Sequence, residues 1–175
     1  MAATLVLKGS RLRLRPWRRS DLPAAQVWSN DPASLCWADA EPREHWTLDE
    51  IEHVYRSVSS RGYAFIAFLD RGPVGEFILT FNGPRPLSGR LDLVVHPAFR
   101  RLGLGREGAA LCTDFAFRVL GLRWLYAYVD PGNRASAGLF RSLGFRRTSA
   151  EVERPFVLAN TAVSLRRLQP YARGV

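Results

Sequence analysis

Lysine is almost missing from this chain: Lys8 is the only one, and the other 24 of its 25 basic residues are arginine. Cysteine is scarce, with Cys36 and Cys112 far apart, and histidine is limited to His45, His53 and His96. Two cysteines make no disulfide framework. Without a CxxC, HxxxH or HExxH spacing, no zinc or other metal centre is expected. No apolar run approaches the roughly 20 residues of a membrane-spanning helix. The opening MAATLVLKGSRLRLR has no signal-peptide core and turns basic where a cleavage site would lie. The chain therefore reads as a cytoplasmic protein with no membrane partner. Its 175 residues, 47% apolar and 23% charged, exclude disorder and low complexity. They suit one domain over 1–175, large enough to hide roughly 70% of the open chain's surface.

The net charge is +9. An arginine-only skew follows from a GC-rich genome as readily as from selection for a polyanion. A nucleic-acid binder clusters its charge beside readable motifs, and no RNP, KH or zinc-finger pattern is present, so no nucleic-acid partner is expected. The distribution of charge says more. Residues 31–52 hold seven acids (Asp31, Asp39, Glu41, Glu44, Asp49, Glu50, Glu52) against Arg43 alone. The basic excess lies elsewhere, at Arg100, Arg101 and Arg106 among others. One part of the chain seeks cations and another seeks anions.

Apolar alternation around Leu5, Leu7, Leu12 and Leu14 predicts a strand over 4–15. Ser20 or Asp21 caps a helix through Leu22, Ala25 and Trp28, which Asn30-Asp31-Pro32 breaks. Thr47-Leu48-Asp49-Glu50 is a capping box for a second amphipathic helix with Ile51, Val54, Tyr55 and Val58. Tyr63–Leu69 and Val74–Phe81 form a hairpin, and Leu91–Val95 is a strand ending at His96-Pro97. A helix spans about 106–120, Leu122–Val129 is a strand, and a short helix runs from Asn133 to Leu143. Phe145–Thr148 and Val157–Leu168 close the chain as strands. The order β-α-α-β-β-β-α-β-α-β-β is mixed α/β on one sheet.

The chemistry concentrates in Val95-His-Pro-Ala-Phe-Arg100-Arg101-Leu102-Gly103-Leu104-Gly105-Arg106, between a strand and the start of a long helix. Helix starts carry unpaired N–H groups and a partial positive charge. Glycines at 103 and 105 let the backbone approach a ligand, successive N–H groups make an anion nest, and the arginines add charge-assisted donors. That is a phosphate or pyrophosphate cradle, although the glycine spacing alone is also met in ordinary strand-to-helix turns. GxxxxGK[ST] is absent, and a dinucleotide-binding loop needs, beside GxGxxG, an acid about 20 residues on at a second strand end.

In context, Val95-x-Pro97-x-x-Arg100-x-x-Gly103-x-Gly105, then Asn133-x-x-Ser136 and Leu139-Phe140-x-x-Leu143-Gly144-Phe145, resembles the GCN5-related N-acetyltransferase superfamily. Leu12-Arg13-Leu14-Arg15-Pro16 with Asp21-Leu22 resembles the opening of its ribosomal-protein and aminoglycoside acetyltransferase-like branch, and Val74-Gly75 resembles its central hairpin. The resemblance covers nearly the whole chain. It implies a mixed central sheet with a splayed strand pair, flanking helices, and acetyl-CoA as co-substrate. The main chain of Leu93, Val94 and Val95 would pair with the pantetheine arm. Arg100, Arg101, Leu102, Gly103, Leu104, Gly105 and Arg106 would hold the pyrophosphate. Asn133 would bond the pantetheine region, unless it serves only as a helix cap, and Ser136 would lie near the thioester. A homodimer is also compatible with the resemblance.

Acyl transfer to an amine needs positioning, an oxyanion donor from the Leu93–Val95 strand, and routes for two protons. Many members carry a tyrosine acid where this chain has Phe140. Amino-terminal acetyltransferases often carry a glutamate base near the position of Tyr128. Asp92, alternating with Leu91 and Leu93, is the first candidate base. An ion pair with Arg90 is the competing reading, and Glu76 is the second candidate. Ser136 is the candidate donor to sulfur. The acceptor would sit by the acidic stretch 31–52 with Trp28, Trp37, Trp46 and Tyr63, which suits a cationic small-molecule or peptide amine. Phe140 and Tyr128 leave a second reading open, a catalytically weak acyl-CoA-binding sensor.

Overall fold

The computed structural model describes residues 5–36, 45–81, 88–147 and 169–174. In chain order its elements are β1 (Leu7–Lys8), β2 (Arg13–Pro16), α1 (Leu22–Ser29), α2 (Pro32–Cys36), α3 (Leu48–Ser59), β3 (Gly62–Leu69), β4 (Gly72–Phe81), β5 (Ser88–Val95), α4 (Leu104–Asp114), β6 (Trp124–Val129), α5 (Arg134–Ser142), β7 (Arg146–Arg147) and β8 (Gln169–Gly174). The strands form one sheet in the order β1-β2-β3-β4-β5-β6-β8-β7. Among the described residues only the β5–β6 pair is parallel; the other pairs are antiparallel. The mixed α/β class expected from the element order is the one observed.

Local signals and tertiary contacts divide the work. The Thr47 capping box forms in both directions: the Glu50 N–H donates to Thr47 Oγ1 at 3.3 Å, and the Thr47 N–H donates to Glu50 Oε2 at 2.9 Å. The strand predicted over 4–15 is instead a hairpin, with Leu7 opposite Leu14 and Lys8 opposite Arg13. The Gly9 N–H donates to the Leu12 carbonyl at 2.8 Å and closes the turn. Pro32 starts a further short helix, α2, after the break. The long helix starts at Leu104 and passes after Asp114 into a π-helical turn, Phe115–Val119, ending by Gly121 at φ +68°. The strand predicted over Val157–Leu168 lies outside the described residues, and β8 was not foreseen.

Strand alternation sends side chains to two cores. On one face Leu14, Phe65, Phe77, Leu79, Leu91 and Leu125 pack beneath α4. On the other, Ala64 and Ile66 pack with Trp28 of α1 and Ile51 and Tyr55 of α3. Helix α4 lies directly on the Phe77 ring: a Cβ built on Gly108 would stand 2.2 Å from Phe77 Cζ. Gly108→Ala is therefore expected to destabilise the fold by about 1–3 kcal/mol, the usual cost of overpacking, read from denaturant midpoints.

Candidate functional site

Strand β5 is bonded along one edge and only at its start along the other. It pairs with β4 from Gly89 to Val95, but with β6 only over Ser88–Arg90. Beyond Arg90 the two strands part. Main-chain groups alternate sides along an antiparallel strand. The His96 N–H donates to the Val74 carbonyl on β4 at 2.9 Å, so Asp92 and Val94 also turn their main chain toward β4. A Cβ on Gly75 of β4 would stand 2.3 Å from the Val94 carbonyl oxygen, in keeping with that direction. Leu93 and Val95 turn theirs into the gap. Of the three residues expected to present main-chain groups there, Val94 is the correction: its groups belong to the sheet.

The gap ends at the segment 96–106. Arg101 (φ +65°) and Gly103 (φ +78°) both adopt left-handed backbone, unusual for arginine and easy for glycine. The Glu107 N–H bonds the Gly103 carbonyl at 3.1 Å as the first turn of α4 closes. The N–H groups of Leu104, Gly105 and Arg106 precede that turn and lack intrahelical acceptors. A Cβ on Gly105 would meet Leu139 Cδ1 at 3.0 Å and Val95 Cγ2 at 3.4 Å. Main-chain donors free of side-chain bulk thus continue from the β5 edge to a helix start, an arrangement that fits an elongated ligand ending in a diphosphate.

The arginines of this loop divide. Arg106 is exposed and reaches Ser142 Oγ on α5 at 3.2 Å, and Arg101 is exposed. Arg100 is turned back into the protein. Its Nε donates to the Val95 carbonyl at 3.0 Å, and its Nη2 donates to Asp31 Oδ2 at 2.6 Å and Ser34 Oγ at 2.9 Å. Its side chain ties α2 to the end of β5, where the sequence pattern had it holding phosphate. Burial acts to raise the Asp31 carboxyl, but bonds from Arg100 and Ser34 outweigh it and hold that carboxyl below its ordinary value.

On the sheet face beneath α1 and α3 stand two carboxylates. Glu76 is opposite Val94 and Asp92 is opposite Ile78, so both project to this side. Glu76 is buried, and its Oε2 accepts from Trp28 Nε1 at 2.8 Å and from the Tyr55 hydroxyl. Asp92 is reachable from solvent, and its Oδ1 accepts from Arg90 Nε at 2.9 Å and Nη2 at 2.7 Å. The Arg90 guanidinium also lies over the Tyr128 ring, 5.1 Å from its centroid. Burial, with help from the charge of Asp92, raises Glu76 above the usual glutamate value despite its two hydrogen bonds. A carboxyl raised by folding binds its proton more tightly in the folded state. Its favourable contribution is complete below the ordinary glutamate value and is lost as pH rises through the folded one. Glu76→Gln should remove this loss, so the melting temperature of the variant is expected to gain on the parent as pH rises from about 4 to 7.

The sequence matches the acetyltransferase (GNAT) domain family over residues 11–146. The chain belongs to the GNAT acetyltransferase family. Membership makes it an acetyl-CoA-dependent N-acetyltransferase. A spermidine N(1)-acetyltransferase of Escherichia coli (strain K12) is 26% identical over 137 residues, spanning 77% of this chain and 72% of that protein. Among solved structures, a spermidine N-acetyltransferase from Vibrio cholerae in complex with CoA and spermine shares the fold, with TM-score 0.73 at 21% identity, over 93% of this chain and 94% of that one. RimJ of Mycobacterium smegmatis in complex with CoA-disulfide does likewise, with TM-score 0.75 at 18% identity, over 98% and 85% of the two chains.

In this GNAT enzyme other residues singled out from the sequence take definite places. Asn133 is the N-cap of α5, its Oδ1 accepting the Ser136 N–H at 3.0 Å. Ser136 is half-buried in the first turn of that helix. Phe140 is buried against Phe145, with ring centroids 5.0 Å apart. Tyr63 is not on the carboxylate face: it stacks on Phe65 and meets Phe115 beneath α4, because it shares the strand parity of Phe65. Trp28 is fully buried and acts through its bond to Glu76, while Trp46 is half-buried beside Asn30, whose Oδ1 accepts its N–H. Trp37, Asp39, Glu41, Arg43 and Glu44 lie outside the described residues. Of the described acids of 31–52, Asp31 holds Arg100, Glu50 caps α3, and Glu52 pairs with Arg19 and Arg56. Three of the four described acids of this stretch are thus engaged by the protein's own partners, and Asp92 on β5, with Glu76 buried on β4 behind it, carries negative charge on the sheet face beneath α1 and α3. Among the described residues no helix is long and apolar enough to cross a membrane.

Proposed function

We propose that this chain, acting as one domain, transfers the acetyl group of acetyl-CoA to the primary amine of a cationic acceptor, by direct attack in a ternary complex. The observation that carries the reading is the parting of β5 from β6 beyond Arg90, which runs from a carboxylate-bearing face to the open amides of α4. Leu93, and Val95 through its N–H since Arg100 holds its carbonyl, would pair with the pantetheine amides as a missing strand does. The amides of Arg101–Arg106 would take the diphosphate, with the exposed Arg101 and Arg106 adding charge. The Asn133 side chain already caps α5, so its contribution to the pantetheine region would be by position at the helix start. Acetyl-CoA supplies the activated acyl group.

The chain's own residues supply the rest. The Leu93 N–H is placed to stabilise charge on the acyl oxygen. Asp92, the reachable carboxylate, takes the proton from the attacking amine, with Arg90 fixing its orientation. Glu76 sits behind it as the second candidate. Ser136, early in α5, is the donor to the departing sulfur. Asp92 and Glu76 together outnumber Arg90 on this face, which favours a positively charged acceptor, a small molecule or a basic peptide terminus. A spermidine acetyltransferase among the relatives supports the amine class.

Thiol release from acetyl-CoA with a panel of cationic, neutral and acidic amines tests the proposal. Turnover greatest with cationic amines is the expected result. An acidic amine as best acceptor would overturn the charge argument, and CoA binding without turnover on any amine would favour the sensor reading that Phe140 left open.

A further inference from the structure

The N-terminal hairpin grips the phosphate loop from behind. Its turn, Gly9 to Leu12, closes around the carboxylate of Glu107 in the first turn of α4. Glu107 Oε1 accepts from the Arg11 N–H at 2.7 Å, the Leu12 N–H at 3.0 Å and Ser10 Oγ at 3.2 Å, and Oε2 accepts from Arg11 Nε at 2.9 Å. The approach is close enough that a Cβ on Gly9 would stand 2.5 Å from Oε1. Burial acts to raise this carboxyl, and the Arg11 and Leu12 bonds outweigh it, so Glu107 stays ionised. Held in this way, the Arg11 guanidinium donates from Nη1 to the Leu102 carbonyl at 2.8 Å. Its Nη2 lies 3.3 Å from where a Cβ of Gly103 would stand.

We propose that Arg11 is a positioning residue for the diphosphate of the acyl donor: by holding the Leu102 carbonyl it fixes the Leu102–Gly103 peptide so that the Gly103 N–H faces the opposite way, into the anion cradle. In a trans peptide the C=O and the following N–H point in opposite directions, and the described peptides include no cis bond. The two left-handed residues, Arg101 and Gly103, flank Leu102, whose carbonyl Arg11 holds. Backbone in sparsely populated regions persists only where its surroundings over-determine it. Arg11 also offsets the charge of Glu107, which would otherwise repel a phosphate one helical turn away. The inference rests on the coenzyme reading above and adds a residue that lies outside the glycine loop, about 90 positions earlier in the chain.

The test compares two donors, acetyl-CoA and S-acetylpantetheine, which lacks the diphosphate. Wild-type enzyme should prefer acetyl-CoA. Arg11→Ala should raise KM for acetyl-CoA about tenfold or more, the size of one charge-assisted hydrogen bond, leave kcat close to the parent, and leave S-acetylpantetheine unchanged. Arg11→Lys should remain impaired, because one ammonium group cannot span both Glu107 and the Leu102 carbonyl. Arg11→Met, which keeps the length of the side chain and removes its donors, should show the same donor-specific loss, and serves should Arg11→Ala melt early. Equal losses with both donors, or an unaltered KM for acetyl-CoA in both variants, would overturn the role of Arg11. A wild-type enzyme indifferent to the diphosphate would instead overturn the coenzyme reading, and this proposal with it.

Discussion

Gly105→Glu should abolish coenzyme binding in a chain that still folds. The Cβ position already touches Leu139 and Val95 at 3.0 and 3.4 Å, so a longer side chain is turned away from them, and helical side chains lean toward the N-terminus, the mouth of α4. There its carboxylate would stand among the amides proposed to receive a diphosphate. Two unit charges about 4 Å apart at a protein surface repel by roughly 4 kcal/mol. A loss of even about 3 kcal/mol exceeds a hundredfold in affinity. Gly103→Glu acts differently: its Cβ would face Arg11 Nη2 at 3.3 Å, so its smaller loss of affinity should come from that contact and from the strain of a non-glycine residue at φ +78°. Calorimetry with CoA reads the loss, and a thermal melt verifies the fold. Undiminished affinity in a well-folded variant would remove the cradle assignment.

The second large effect is expected at Asp92. Asp92→Asn keeps the volume and one acceptor oxygen for Arg90 but cannot take a proton from the amine. Turnover should fall by about a hundredfold, the lower end for a general base, with the affinity for CoA unaltered. The unaltered affinity matters, because it separates proton transfer from damage to β5, whose neighbouring residues Leu93 and Val95 line the gap. A fully active Asp92→Asn would transfer attention to Glu76, where Glu76→Gln should then carry the loss.

Features set by short-range pattern were the most legible in the sequence. The capping box at Thr47, the hairpin after Arg61-Gly62, the alternation of Leu91 to Val95 and the glycine pair at 103 and 105 each depend on residues within a few positions. Features set by distant partners were not. The sign in residues 5–15 that the strand folds over is the Gly9-Ser10 pair, weak on its own because the carboxylate the turn wraps belongs to Glu107. The tether of Arg100 to Asp31 crosses 69 positions, so an arginine in a phosphate motif was read as a phosphate ligand. The sequence offers Glu76 only as a second candidate base, and its burial comes from Trp28 and Tyr55, distant in the chain, closing over it. Gly108 is the third glycine of a Gly103-x-Gly105-x-x-Gly108 spacing, and the Phe77 ring, on another element, is what requires it. The acceptor side was the least legible part, since the acids of 31–52 look available in one dimension and several are matched in three.

The shortness of the β5–β6 ladder has a thermodynamic corollary. Three residue pairs join these parallel strands, so the seam between them is short of hydrogen bonds in the free enzyme. A donor molecule lying along Leu93 and Val95 would act as a rung in that seam, and its binding free energy would count toward holding the sheet together. The free chain would then be the form most exposed to heat and proteases, and the supply of acyl donor would govern how long the protein lasts as well as how fast it works.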